Sequence, residues 1–200
     1  MRFFLMLMFL ETFTKMIVGL VLWKGVEEKS LIRIYQEVLQ KPAFFAVILR
    51  DISIVYFPTK KIYLCDTFEG FDKRDIAVDD ERKFSEGSQD WSETSIDFVL
   101  SRMPFKDNCI VRKGFFPTTM IDVDDTFCFV SLDLDLYKPI FDGLEYFYPR
   151  LVRGGYIFVH DCVNKGYLGA REAVLEFCAK HKVGYVVLPD EWGTAVLTKA

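Results

Sequence analysis

Hydrophobic positions alternate between two periods along most of the chain, and the alternation predicts the elements. Short runs of β-branched and aromatic residues recur at "KKIYLCD", "CIVRKG", "FCFVSLDL", "YIFVHD" and "GYVVLP", each the length and composition of a strand. Helical spacing fills the intervals. Pro139 suits a first helical turn; Ile140, Leu144 and Phe147 follow on one face, with Pro149 and Gly154-Gly155 expected to stop the helix. Ala170, Val174 and Phe177, or Leu175 and Cys178, predict a second amphipathic helix after Gly169. "DWSETSIDFVLSRMP" predicts a third, capped by Ser92 or Thr94, with Ile96, Val99 and Leu100 inward. Strands alternating with helices imply an α/β fold with a mostly parallel sheet covered on both sides. Ligands of such sheets bind beyond the carboxyl ends of the strands.

Polar residues stand where that rule points. "KKIYLCD" ends in Asp66, "FCFVSLDLDLY" carries Asp133 and Asp135, and "YIFVHD" ends in His160 and Asp161. A single aspartate there is ordinarily a turn former or helix cap, and a single histidine an ordinary buried imidazole. Several acids together need a cation or a donor-rich ligand, since close carboxylates cannot all stay ionised cheaply. Asp133 then suits a metal ligand while Asp135 faces a substrate. Tyr137, Phe115, Phe116 and Trp192 are aromatic residues near this rim that could bracket a sugar, although such residues more often belong to the core.

Composition narrows the function classes. Two hundred residues, 51% hydrophobic and 16% aromatic, fill a core and fit one domain spanning 1–200. A net charge of -4 gives no basic field for phosphate backbones, so nucleic acid is excluded as a partner and a small molecule is favoured. Five scattered cysteines without a CxxC pair argue against a disulfide framework or zinc knuckle, and for a cytoplasmic, reduced protein. The opening "MRFFLMLMFLETFTKMIVGLVLW" is greasy, yet Glu11 and Lys15 interrupt it well short of the roughly 20 apolar residues a bilayer needs. A buried helix, or one packing two copies together as a homo-oligomer, fits it better than a membrane segment.

"KIYLCDTFEGF", "IVRKGFFPTT", "FVSLDLDLYKPIFDGLEYFYPRLVRGGYIFVHD" and "GAREAVLEFC" together resemble the macrocin O-methyltransferase (TylF/MycF-type) family. The resemblance runs from about Lys60 to the C-terminus. It implies a Rossmann-like class I methyltransferase sheet with a C-terminal antiparallel hairpin. It also implies Mg²⁺-assisted transfer of a methyl group from S-adenosylmethionine to a hydroxyl, that of a sugar or glycosylated metabolite. Carried over by position, Asp66, Thr67 and Phe68 match the cofactor-binding segment, Asp66 being the acid for the ribose hydroxyls. Asp133 matches the first metal ligand, Asp135 the general base, and His160 with Asp161 the pair completing the metal site. His160 departs from the family's carboxylate, and imidazole suits softer ions than Mg²⁺.

A larger departure lies upstream. Class I methyltransferases follow their first strand with a turn resembling "E-x-G-x-x-x-G", whereas the only glycines before Asp66 are Gly19 and Gly25. Read in a frame offset by two bases, "VLQKPAFFAVILRDISIVY", residues 38–56, permits "VAEAGVFRGDFARYINRVF". That text contains the missing element, so a frameshift over 38–56 is expected to have overwritten the cofactor loop. The alternative to an active enzyme is a catalytically impaired relic or binding module that keeps the acidic rim without the loop. A third reading takes "DLDLY" as the metal motif of a nucleotide-sugar glycosyltransferase, which explains neither "DTFEGF" nor the strand from Gly154-Gly155 to His160, or as the nucleophile motif of a haloacid-dehalogenase-type phosphatase, which belongs on an N-terminal strand whereas this one is late.

Overall fold

The computed structural model describes residues 61–85, 95–103, 106–190 and 192–200. The anticipated N-terminal helix and the 38–56 segment lie outside them. The chain divides into two compact units, 1–64 with 94–111 and 65–93 with 112–200, so the boundary crosses strands β1 (Ile62–Asp66) and β2 (Cys109–Lys113). Within the first unit, helix α2 (Ile96–Arg102) starts where the Ser95 side chain accepts the Phe98 N–H. The cap is thus Ser95, one residue beyond Thr94, because its hydroxyl stands three residues before a free first-turn amide.

The second unit holds helix α1 (Lys73–Arg82), strand β3 (Phe127–Leu132), helix α3 (Tyr137–Arg150), strand β4 (Leu151–Val159), helix α4 (Leu168–His181) and strands β5 (Tyr185–Val187) and β6 (Ala195–Thr198). β1 pairs with β2, and a four-stranded sheet runs β3-β4-β6-β5. β3 and β4 are parallel, and β6 is antiparallel to both β4 and β5. The expected C-terminal antiparallel hairpin on a parallel sheet is therefore present.

Alternation sets the core. Val130 and Leu132 of β3, Leu151, Ile157 and Val159 of β4, and Ala195 and Leu197 of β6 are buried on one face. Ile140, Leu144 and Phe147 of α3, and Ala170, Val174 and Phe177 of α4, are buried with them. Gly143 lets α3 approach closely, since a Cβ there would stand 3.0 Å from the Leu132 side chain. α3 does not stop at Pro149: it runs through it to Arg150, and Gly154-Gly155 lie inside β4. On the other face Tyr156 is 49% exposed and the Phe129–Phe158 ring pair is only half-buried. Among the described residues the sheet is thus covered on one side, with α1 and α4 both packed against α3. All five cysteines are free, and no described helix is long and apolar enough to cross a membrane.

Adjacent residues of β4 should respond oppositely to substitution. Ile157→Ala empties a fully buried site and should cost about 2–5 kcal/mol, whereas Tyr156→Thr should stay within about 0.5 kcal/mol. Urea unfolding of both variants checks this.

Candidate active site

The register of the parallel pair brings the acids together. Leu132 pairs with Val159, and the His160 N–H donates to the Leu132 carbonyl at 2.9 Å. The residues following each strand therefore emerge side by side. Asp133, Asp135 and Asp161 each present a carboxylate oxygen, all within 4.8 Å of one another. His160 is half-buried beside this trio, and its imidazole pulls the Asp133 pKa down against the rise imposed by desolvation and by Asp161. Desolvation leads that balance even though the Asp133 side chain reaches solvent, because the rest of the group is crowded by protein.

Asp135 is the most informative member. It sits at the centre of a turn in which the Leu136 N–H donates to the Leu134 carbonyl at 2.5 Å, with φ of 56°. This is the rare, strained kind of γ-turn. Burial first, then Asp133 and Asp161, and finally a hydrogen bond with Asp161 push its carboxyl from the ordinary 3.8 up to about 8. A proton between Asp135 and Asp161 accordingly relieves the repulsion near neutral pH. Three oxygens in this spacing equally suit a hard divalent cation.

Asp161 has φ of 60° and is held by a residue that the sequence reading missed. Asn164 Nδ2 donates to Asp161 Oδ1 at 2.9 Å, while Asn164 Oδ1 accepts from the Gly166 N–H at 2.9 Å. The Asn164 N–H also donates to the Asp161 carbonyl at 3.0 Å. The signal was the "N-K-G" turn, where asparagine commonly bonds its own backbone two residues on.

Asp66 ends β1 and its Oδ1 accepts from the Phe68 N–H at 2.6 Å, an Asx-turn that leaves its second oxygen for a ligand. Thr67 Oγ1 donates to the Gly70 carbonyl at 2.6 Å, and Phe68 is buried with φ of 55°. Among the candidate aromatics, Tyr137 is buried and donates its hydroxyl to Glu176 at 2.6 Å, so it serves packing and does not face a sugar. Phe116 stacks on Phe147, and Phe115 is covered by the Arg74 guanidinium 3.5 Å from its centroid. Trp192 stays half exposed. A cavity of about 360 Å³ begins at Cys162 and Val163, directly after Asp161, and is completed by Arg171, Val174, Tyr185 and Val187.

Residues 44–194 match the sequence pattern of the family described as macrocin O-methyltransferase (TylF). The chain belongs to this family. Its fold is that of class I methyltransferases, as two solved structures illustrate. The O-methyltransferase NovP has a TM-score of 0.59 at 20% identity, covering 78% of this chain and 66% of NovP, so the chain spans just under two thirds of that protein. CalS11, a calicheamicin methyltransferase, has a TM-score of 0.58 at 19% identity, covering 84% of this chain and 77% of CalS11. No curated protein sequence matches the chain.

A carboxyl that holds its proton more tightly folded than unfolded stabilises below the unfolded pKa and loses that contribution as pH rises to the folded one. In metal-free protein, stability relative to Asp135→Asn should fall between about pH 4 and pH 8 and be flat above. Urea titrations in EDTA at several pH values read this, and a flat difference would contradict a shared proton.

Proposed function

We propose that this chain is an S-adenosylmethionine-dependent O-methyltransferase acting on a hydroxyl of a sugar or glycosylated metabolite. The observation carrying the reading is the convergence of Asp133, Asp135 and Asp161 within 4.8 Å at one sheet edge, in a member of the TylF family. The description of CalS11 as a TDP-rhamnose 3'-O-methyltransferase supports a sugar acceptor. Three carboxylates fit Mg²⁺, with Asp133 and Asp161 as oxygen ligands and His160 alongside. Bound there, the cation supplies neutralising charge and makes the acceptor hydroxyl more acidic.

The chain's own residues then divide the work. Asp135, once its charge is compensated and its proton lost, accepts the proton of the acceptor hydroxyl as the oxygen attacks the methyl group. S-adenosylmethionine, held at the Asp66 turn, would supply the methyl group and leave with the bonding electron pair on its sulfur, and Asp135 would end protonated. Asn164 keeps Asp161 in place, and the free oxygen of Asp66 accepts from the cofactor ribose. Thr67 shapes that turn through its bond to Gly70, and Phe68 anchors it in the core.

Whether the cofactor is held depends on the segment before β1. We read residues 38–56 as a glycine loop written out of frame, supported by the fact that the offset frame fixes two bases of each codon and permits both glycines at family spacing. The family match takes in residues 44–56 of the chain as written, which weighs against a change of frame over that part of the segment. Resequencing settles the frame; codons incompatible with GGN at the two glycine positions would sink it.

Calorimetry with S-adenosylmethionine should show binding by a loop-restored chain and little by the chain as written, with Asp66→Ala weakening the former. In the loop-restored chain, Asp135→Asn should lower methyl transfer to a nucleotide sugar by about 10²–10⁴-fold while leaving cofactor affinity intact. No cofactor binding by the chain as written, with binding once the loop is restored, favours the relic for the chain as written, whereas tight binding by the chain as written removes that alternative.

A further inference from the structure

Asp79 lies on α1, far from the strand ends in sequence, and is fully buried. Its Oδ1 accepts the backbone N–H of Tyr137 at 2.9 Å. Tyr137 is the first residue of α3, whose leading amides lack partners within the helix. The local cap position is occupied by Leu136, which is fully buried and offers no acceptor. Core packing has taken the place where a serine or aspartate would ordinarily sit, and the acceptor comes from another helix. A carboxylate there also meets the positive end of the helix dipole.

The same side chain is gripped from the opposite direction. A Cβ on Gly169 of α4 would stand 2.6 Å from Asp79 Oδ2 and 2.6 Å from the Tyr137 nitrogen. The chain leaving α1 closes the junction: Phe84 donates its N–H to the Asp79 carbonyl at 2.9 Å and accepts the Leu168 N–H at 2.8 Å. Ser85 bridges to Tyr167. The Tyr137 ring is held under Arg82 at 4.3 Å. Asp79 Oδ2 and the Ser85 hydroxyl are buried near one another; their interaction draws the Asp79 carboxyl down against the larger rise from burial, although the contact falls short of good hydrogen-bond geometry.

Two residues before Tyr137 is Asp135 on its strained turn, and four before it is Asp133. We propose that Asp79 is a positioning residue for the acidic site: by holding the first amide of α3 against α4, it fixes the 133–136 turn in the geometry that brings the carboxylates together. This rests on reading the trio as a cation site, and the test separates the two.

The experiment compares Asp79→Ala, Asp79→Asn and Gly169→Ala with the parent chain, at temperatures where circular dichroism shows each folded. Mn²⁺ affinity is read by electron paramagnetic resonance, and hydrogen exchange is followed over residues 133–138. Asp79→Ala should weaken Mn²⁺ binding by about 10–100-fold, the range seen when outer-shell partners of metal ligands are lost, and speed exchange in that peptide. Gly169→Ala should act in the same direction. Asp79→Asn should restore both readouts, because its amide oxygen can accept the Tyr137 N–H. Parental Mn²⁺ affinity in Asp79→Ala, or failure of asparagine to rescue, overturns the proposal. Should Asp79→Ala not fold, the other two variants decide: exchange and affinity disturbed by Gly169→Ala and preserved by Asp79→Asn support it, and any other pairing overturns it. If the parent chain binds no Mn²⁺, the cation reading fails and exchange at 133–138 alone decides: faster in Asp79→Ala but not in Asp79→Asn supports the positioning role, and no change overturns it.

Discussion

Pairing Leu132 against Val159 in the β3–β4 ladder sets where Asp133, Asp135, His160 and Asp161 can be. Both side chains are buried, and a slip of one residue would turn each onto the opposite face. With that register held, parallel strands deliver their following residues to one edge. Asp133 and Asp135 leave one strand while His160 and Asp161 leave the other. Parallel pairing thus concentrates negative charge at a point where the strands no longer neutralise it, so the turns beyond the ladder must accommodate the repulsion.

They do so partly through strain. Among the described residues, five other than glycine have positive φ. Lys83 and Lys182 follow the C-termini of α1 and α4, where a left-handed residue satisfies the last carbonyls and costs little. Phe68, Asp135 and Asp161 have no such excuse, and each falls in a turn at a strand end. Holding a residue there costs of order 1–3 kcal/mol, so packing and hydrogen bonds nearby must offset it. Asn164 does this for Asp161 with its side-chain and backbone bonds. The Asx bond of Asp66 does it for Phe68. Asp135 has its offset at the start of α3, whose leading amide is held by Asp79.

How much of this the sequence reveals follows from periodicity. β3, β4, α3 and α4 are legible because each buries a continuous apolar face, and the acids are legible because they terminate apolar runs. α1 is not: "KRDIAVDDER" buries Asp75 and Asp79 instead of an apolar stripe, so no hydrophobic period marks it. Its cap Asp72, which accepts from the Arg74 N–H, was the available sign. Pro149 misleads as a helix stop because it forfeits only its own bond to the carbonyl four residues back, and the helix runs one residue further to Arg150 before ending. Tyr137 reads as a rim aromatic in "DLDLY", yet helix geometry turns it toward Glu176 and Arg82. Asn164 and Asp79 act across space on residues that pattern alone identifies, and only the fold brings them there.

The proton at Asp135 and a cation on the trio compete for the same electrostatic vacancy. With its carboxyl at about 8 in the protein alone, Asp135 is protonated at neutral pH and cannot serve as a base in that state. Positive charge placed among Asp133, Asp135 and Asp161 reverses the two leading electrostatic causes of the rise, and the acid is released. Cation uptake therefore expels a proton and strengthens as pH increases. A base near neutrality is the useful one for a hydroxyl acceptor, and on the proposed reading Asp135 would reach that condition only with a cation in place. On that reading, metal occupancy and catalytic competence would be coupled through this one carboxyl.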